Sequence, residues 1–175
     1  MGNANTTYRA KRASARLNPT SAATFLQADD ATKACVVYFP QISGSSAAFK
    51  FRAVGRALNS ASHNVTPKVS YGSSITAASN TVIAAATARA VSTTQAVWAI
   101  WGDLFWDSTS QVLKGCFSAL NGATSVLDAF AVLTNTVSSV DLSSSTAGNA
   151  LSVEITIATG GGDNGYLDEL SLEVL

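Results

Sequence analysis

All three tryptophans of the chain, Trp98, Trp101 and Trp106, fall in one short run, WAIWGDLFWD, with Phe105 among them. Flat aromatic faces at this density can stack on a sugar ring or a nucleobase, and they can equally fill a core from both sides of one strand. Other chemistry finds few of the groups it needs. His63 is the lone histidine and stands in the polar stretch NSASHNV, so a Ser–His or Cys–His nucleophile has no evident base. No zinc spacing, GxxxxGK[ST] or GxGxxG is present. Asp163, Asn164 and Asp168 could offer oxygens to calcium, but their spacing follows no loop motif. Among paired carboxylates, Asp103 and Asp107 flank the tryptophans, and Asp168 and Glu169 are adjacent. Adjacent residues of a regular strand point to opposite faces, whereas a glycosidase needs two carboxyls across one cleft. The chain therefore reads as non-catalytic, with no catalytic residue, no metal and no cofactor.

The aromatic run itself leaves three readings open. In an unbroken strand Trp98, Ile100, Leu104 and Trp106 share one face, and Trp101, Asp103 and Phe105 share the other. A bulge at Gly102 would instead group Trp98 with Phe105, and Trp101 with Leu104 and Trp106. Both faces carry large apolar groups in either case. A central strand covered on both sides, a patch buried by a neighbouring subunit and an open sugar platform each account for this. Trp98, Trp101, Phe105 and Trp106 are the candidate interface or ligand residues. Stacking on nucleic acid is disfavoured, because the second half of the chain is acidic and would repel phosphates.

The elements that would position these residues are short strands. AAFKFRAVGRALN (47–59) alternates, with Phe49, Phe51 and Ala53 against Lys50, Arg52 and Arg56. VTPKVSYG (65–72) puts Val65, Val69 and Tyr71 on one face, and LSVEITIAT (151–159) sets Leu151, Val153, Ile155 and Ile157 against Ser152, Glu154 and Thr156. QAVWAIWGDLFWD and QVLKGCFSAL, joined by the turn sequence DSTS, read as a hairpin. ATFLQ, KACVVYFPQI, VLDAFAVLT and YLDELSLEVL add further strands; the alanines of NTVIAAATARAVST would suit a short helix, but it is read as two strand pieces. Many short strands with turn signals and hardly any helical periodicity predict an all-β fold, a jelly-roll-like antiparallel β-sandwich over 23–175.

Residues 1–22 read as an extended basic N-terminal arm. They carry Arg9, Lys11, Arg12 and Arg16, no acid, and Tyr8 as the one aromatic. The arm lacks the apolar h-region of a secretory signal, and no run nears the ~20 apolar residues of a membrane span. Charged residues make up 13% of the chain, about half the usual ~25%. Their distribution is lopsided. Residues 1–89 hold ten cations against Asp29 and Asp30, a formal +8; residues 90–175 hold Lys114 against nine acids, a formal −8. An arm with too little apolar surface for its own core needs something to hold it: a neighbouring copy, a shell, or its own sandwich. Tyr8, Arg9, Lys11, Arg12 and Arg16 are the candidate docking residues. Cys35 and Cys116, the two cysteines, read as buried free thiols, with a disulfide between them as the alternative.

The closing YLDELSLEVL, after the loop GGGDNG, resembles the last strand of jelly-roll modules of the carbohydrate-binding and virion-fibre type. VWAIWGDLFWDSTSQVLKGCFSALNG is similar to a strand–turn–strand of tailed-phage virion proteins, and the Ala/Ser/Thr-rich texture and basic arm fit that group. The resemblance spans roughly residues 95–175. It implies a non-catalytic viral structural protein of the virion, a phage capsid decoration or minor capsid protein. Such a protein would oligomerise, with a trimer as one option, and dock on capsid protein and copies of itself, with no nucleic acid and no membrane as partner. The alternative it implies is a carbohydrate- or receptor-binding module of a tail fibre, with a glycan as ligand.

Overall fold

The computed structural model describes residues 7–10, 24–25, 36–58, 64–74, 79–90, 96–121, 126–143, 148–157 and 164–175. These form two antiparallel sheets packed face to face, an all-β sandwich of the jelly-roll kind. The first sheet runs in the order β1 (Thr7–Ala10), β13 (Asn164–Val174), β4 (Ser46–Leu58), β8 (Ala96–Asp107), β9 (Val112–Asn121). Two short strands, β10 (Val126–Leu127) and β11 (Ala131–Val132), share the far edge of β9. In the second sheet β2 (Thr24–Phe25) and β3 (Val36–Tyr38) lie on one side of β12 (Ala150–Ile157). On its other side lies β5 (Asn64–Tyr71), which in turn pairs with β6 (Thr81–Ala85) and β7 (Arg89–Ala90).

The long strands form because their apolar residues recur at every second position, which is the one pattern that lets a pleated chain bury a single face. Phe49, Phe51 and Ala53 of β4, Trp98, Ile100, Leu104 and Trp106 of β8, and Leu113 and Phe117 of β9 meet Val65 and Val69 of β5 and Leu151, Val153 and Ile155 of β12 in one core. Phe39, just beyond β3, packs edge-on against Phe49 with ring centroids 5.1 Å apart. Side chains of this size contribute about 1.5–3 kcal/mol each when fully buried. The DSTS turn closes the β8–β9 hairpin: Asp107 accepts from the Thr109 N–H at 3.0 Å and from the Ser110 hydroxyl at 2.7 Å, an Asx turn.

Four local features depart from simple alternation. Asp168 is an extra residue in β13, whose register against β4 shifts between Leu167 and Glu169. The bulge lets Leu167 and Leu170, three apart, both face the core. It also corrects the expectation that Asp168 and Glu169 point apart. Asp168 grips Arg56 with bonds of 2.8–3.1 Å, Glu169 lies 4.0 Å from Arg52, and both arginines stand on the outer face of β4. On the second sheet the polar side of β12 is buried too. Ser152 and Glu154 are both enclosed, and Glu154 is neutralised by Lys68 at 2.9 Å. The VLDAFAVLT stretch is interrupted: only its two ends pair, as β10 and β11. Lastly, Thr7–Ala10 of the basic arm pairs with β13 over four residues and so forms an edge strand of its own sandwich.

Candidate functional site

The outer face of the first sheet carries a shallow groove of about 830 Å³. It is built from rows of residues that the register places directly opposite one another. In one row Ser171, Arg52, Trp101 and Ser118 succeed each other across β13, β4, β8 and β9; β1 extends that row at the position of Arg9. In the next, Glu173, Lys50, Asp103 and Cys116 do the same. Because β8 pairs with both neighbours without a bulge, its alternation is strict. Gly102 faces inward among the core residues, where a Cβ would lie 2.1 Å from the Cys116 carbonyl oxygen and 2.8 Å from the Phe51 ring. The glycine is a packing requirement of a flat central strand.

This parity divides the aromatic run. Trp98 and Trp106 are core residues, 0% and 1% exposed. Trp101 is half-buried in the groove, and Phe105, 48% exposed, stands further along the same outer face. The four aromatics therefore do not make one patch, and Trp101 is the one tryptophan that reaches solvent. Beside it the groove is walled by Ala99, Leu120 and Phe130 toward β9 and by Lys50, Arg52, Glu169 and Ser171 toward β13. Opposite charges stand next to each other in the Glu173–Lys50–Asp103 row, yet among the described residues Lys50 forms no ion pair with either acid. Arg52 has its guanidinium 4.0 Å from Glu169, beyond hydrogen-bond reach. Among the described residues the side chains of Lys50, Asp103 and Glu173 have no hydrogen-bond partner, whereas Ser118 donates to the Asp128 carbonyl and Arg56, four residues along β4 from Arg52, is spent on Asp168 and on the Tyr166 ring, 5.0 Å from its centroid. The Asp168 carboxylate holds the Arg56 guanidinium above its ordinary pKa through their hydrogen bonds.

No family model and no curated protein matches the chain. Solved structures do. A lectin from Bauhinia forficata in complex with GalNAc is 9% identical over 98% of this chain and 99% of its own, with a TM-score of 0.35. Lectin I from Ulex europaeus, in complex with the methyl glycoside of α-L-fucose, is 9% identical over 97% and 98%, at 0.39. Peanut lectin with a 9-residue peptide is 9% identical over 98% of each chain, also at 0.39. Similarity at this level carries no inference about ligand or partner.

Of the residues the sequence singled out for docking, Tyr8 and Arg9 lie on β1, and Lys11, Arg12 and Arg16 fall outside the described residues, as do Cys35, His63 and Asp163. Cys116 is a free thiol, half-buried on the outer face opposite Asp103. Phe130, Lys50, Arg52, Glu169, Ser171 and Glu173 were not evident as site residues. Alternation put Lys50 and Arg52 on a polar face, but nothing in the sequence aligns that face with Trp101, from which it is separated by some fifty positions.

Proposed function

We propose that this chain is a non-catalytic carbohydrate-binding module whose site is the outer-face groove. The observation that carries the reading is Trp101: a single solvent-reaching indole set among Lys50, Asp103, Ser171 and Glu173, whose polar groups are not used up on one another. A sugar ring presents an apolar face and a rim of hydroxyls, and this arrangement offers an aromatic surface for the first and donors and acceptors for the second. The groove volume lies in the range of ligands of several rings, about 300–1,000 Å³, which favours an oligosaccharide over a single sugar. Three carboxylates line it against two cations, a balance that disfavours a nucleic-acid backbone.

Glycan-array screening followed by calorimetric titration tests this. Trp101→Ala is expected to weaken binding roughly tenfold or more, as truncation of a central aromatic does. Silence on the array, together with unchanged tryptophan emission in millimolar oligosaccharide, would overturn the reading. A second reading is supported by the exposed apolar strip Leu127, Phe130 and Val132 (61%, 66% and 78% exposed), which a protein surface could cover. Under it the chain is a virion subunit docked on the capsid lattice or on its own copies, with the basic arm as a second point of attachment. Copy number in purified particles, matching lattice positions, would support it.

A further inference from the structure

The groove wall formed by Phe130 is held by a device that the binding reading does not explain. Between Leu127, opposite Leu120, and Ala131, opposite Phe117, the chain takes four steps while β9 takes three. The extra residue makes a bulge of Asp128, Ala129 and Phe130. Outward from it project Leu127, Phe130 and Val132, all largely exposed. Side chains left in water contribute little to holding their own backbone down, and β10 and β11 are only two residues long each.

What anchors the bulge is polar and lies on its other side. Asp128 sends its carboxylate away from the groove, toward the second sheet. Its Oδ2 accepts the Thr87 N–H at 2.7 Å and its Oδ1 accepts from the Arg89 guanidinium at 2.7 Å. Its backbone is fixed as well: its N–H donates to the Ala119 carbonyl at 2.7 Å, and its carbonyl accepts from the Ser118 hydroxyl at 2.9 Å. The carboxylate and guanidinium are largely enclosed, with side chains 11% and 28% exposed, so the pair is screened less than a surface pair.

We propose that Asp128 is a positioning residue for the groove: by tying the bulge to Thr87 and Arg89 it holds Phe130 as a fixed wall beside Trp101, and so sets how firmly an apolar ligand face is gripped. This rests on the groove being the ligand site. The Asp128 carboxylate is not part of the groove lining, and its backbone bond to Ser118 survives truncation of the side chain, so the effect of the carboxylate on binding passes through Phe130.

Two measurements on the full chain decide it. In hydrogen exchange, Asp128→Ala is expected to speed the amides of 127–132 about tenfold or more while leaving those of β8 unchanged; an equal acceleration throughout, or none in 127–132, overturns the proposal. In titrations with cellohexaose and chitohexaose, chosen as neutral flat-faced probes, Phe130→Ala is expected to weaken binding about threefold to tenfold, the scale of one aromatic contact. Asp128→Ala should weaken it by no more than that, and the double variant should bind as Phe130→Ala alone does. A further loss from Asp128→Ala in the Phe130→Ala background would show that it acts through the fold at large. If neither probe binds the unmodified chain, the grip on a neutral flat-faced sugar that the proposal gives to Phe130 is overturned, while the exchange measurement still decides the anchor and the array still decides the carbohydrate reading.

Discussion

Trp98 and Trp106 lie on one strand, face one core and are equally buried, yet among the described residues only Trp106 has a partner for its indole N–H. Trp106 Nε1 donates to the Val140 carbonyl at 2.7 Å, while Trp98 Nε1 is enclosed with no acceptor among those residues. Replacing each by Phe removes the same atoms, so the transfer and cavity losses are similar, on the order of 2 kcal/mol. The polar contributions then pull apart. Trp106→Phe also removes the hydrogen bond and so strands the Val140 carbonyl oxygen, a cost of about 1–3 kcal/mol. Trp98→Phe instead removes an unmet donor and recovers about 1–3 kcal/mol. Trp106→Phe is therefore expected to cost about 3–5 kcal/mol, and Trp98→Phe to change stability by about −1 to +1 kcal/mol. Urea unfolding followed by far-ultraviolet circular dichroism measures both, with equal m-values as the check that the unfolded states are comparable. If the two variants differ by less than about 1 kcal/mol, a water or a shifted side chain serves Trp98 and the reasoning fails.

Three other outcomes follow from the same geometry. Acrylamide should quench only the Trp101 share of the emission, and an oligosaccharide in the groove should protect it; quenching of all three tryptophans would contradict the strand parity. Gly102→Ala places a methyl against the neighbouring backbone and should cost about 3 kcal/mol or more in denaturant, beyond ordinary overpacking; a loss under about 1 kcal/mol would mean that the strands part easily there. Burial pulls the Asp128 carboxyl upward, but the Thr87 and Arg89 hydrogen bonds outweigh it and hold the pKa below its ordinary 3.8. Its stabilising contribution is thus complete above that value and lost as pH falls through the lower, folded-state value, so Asp128→Asn should flatten the acid limb of stability against pH below about 4; an unchanged limb would refute the anchor's charge dependence.

The strands were legible because period-2 burial leaves its mark on the residues that make it, as in Phe49–Phe51–Ala53 and Leu151–Val153–Ile155. The parity of β8 was legible only as two options, since a glycine can signal either a bulge or a close approach. The bulge at Asp168 was hidden, because the paired acids between Leu167 and Leu170 read equally as one polar residue misplaced in a regular strand, and only the burial of both leucines selects the bulge. The groove was the least visible part. One bank comes from positions 50–52 and 169–173 and the other from Leu120 and Phe130, brought to Trp101 by pairings that include strands far apart in sequence, and local pattern does not encode which strand lies beside which.

The position of β13 has a consequence for biosynthesis. It follows every other strand in the chain, yet it lies between β1 and β4. About a hundred residues separate β4 from its outer neighbour, which corresponds to about 5–20 s of translation. Throughout that interval the nascent β4 has an unmatched edge bearing Phe49 and Phe51, an open template for pairing with another chain on a crowded polysome. Lys50 and Arg52 sit between and beside those phenylalanines, where charge discourages such pairing. The cations that bank the finished groove thus serve earlier as gatekeepers, and neutralising both should lower soluble yield from cells more than it lowers the stability of the protein that survives.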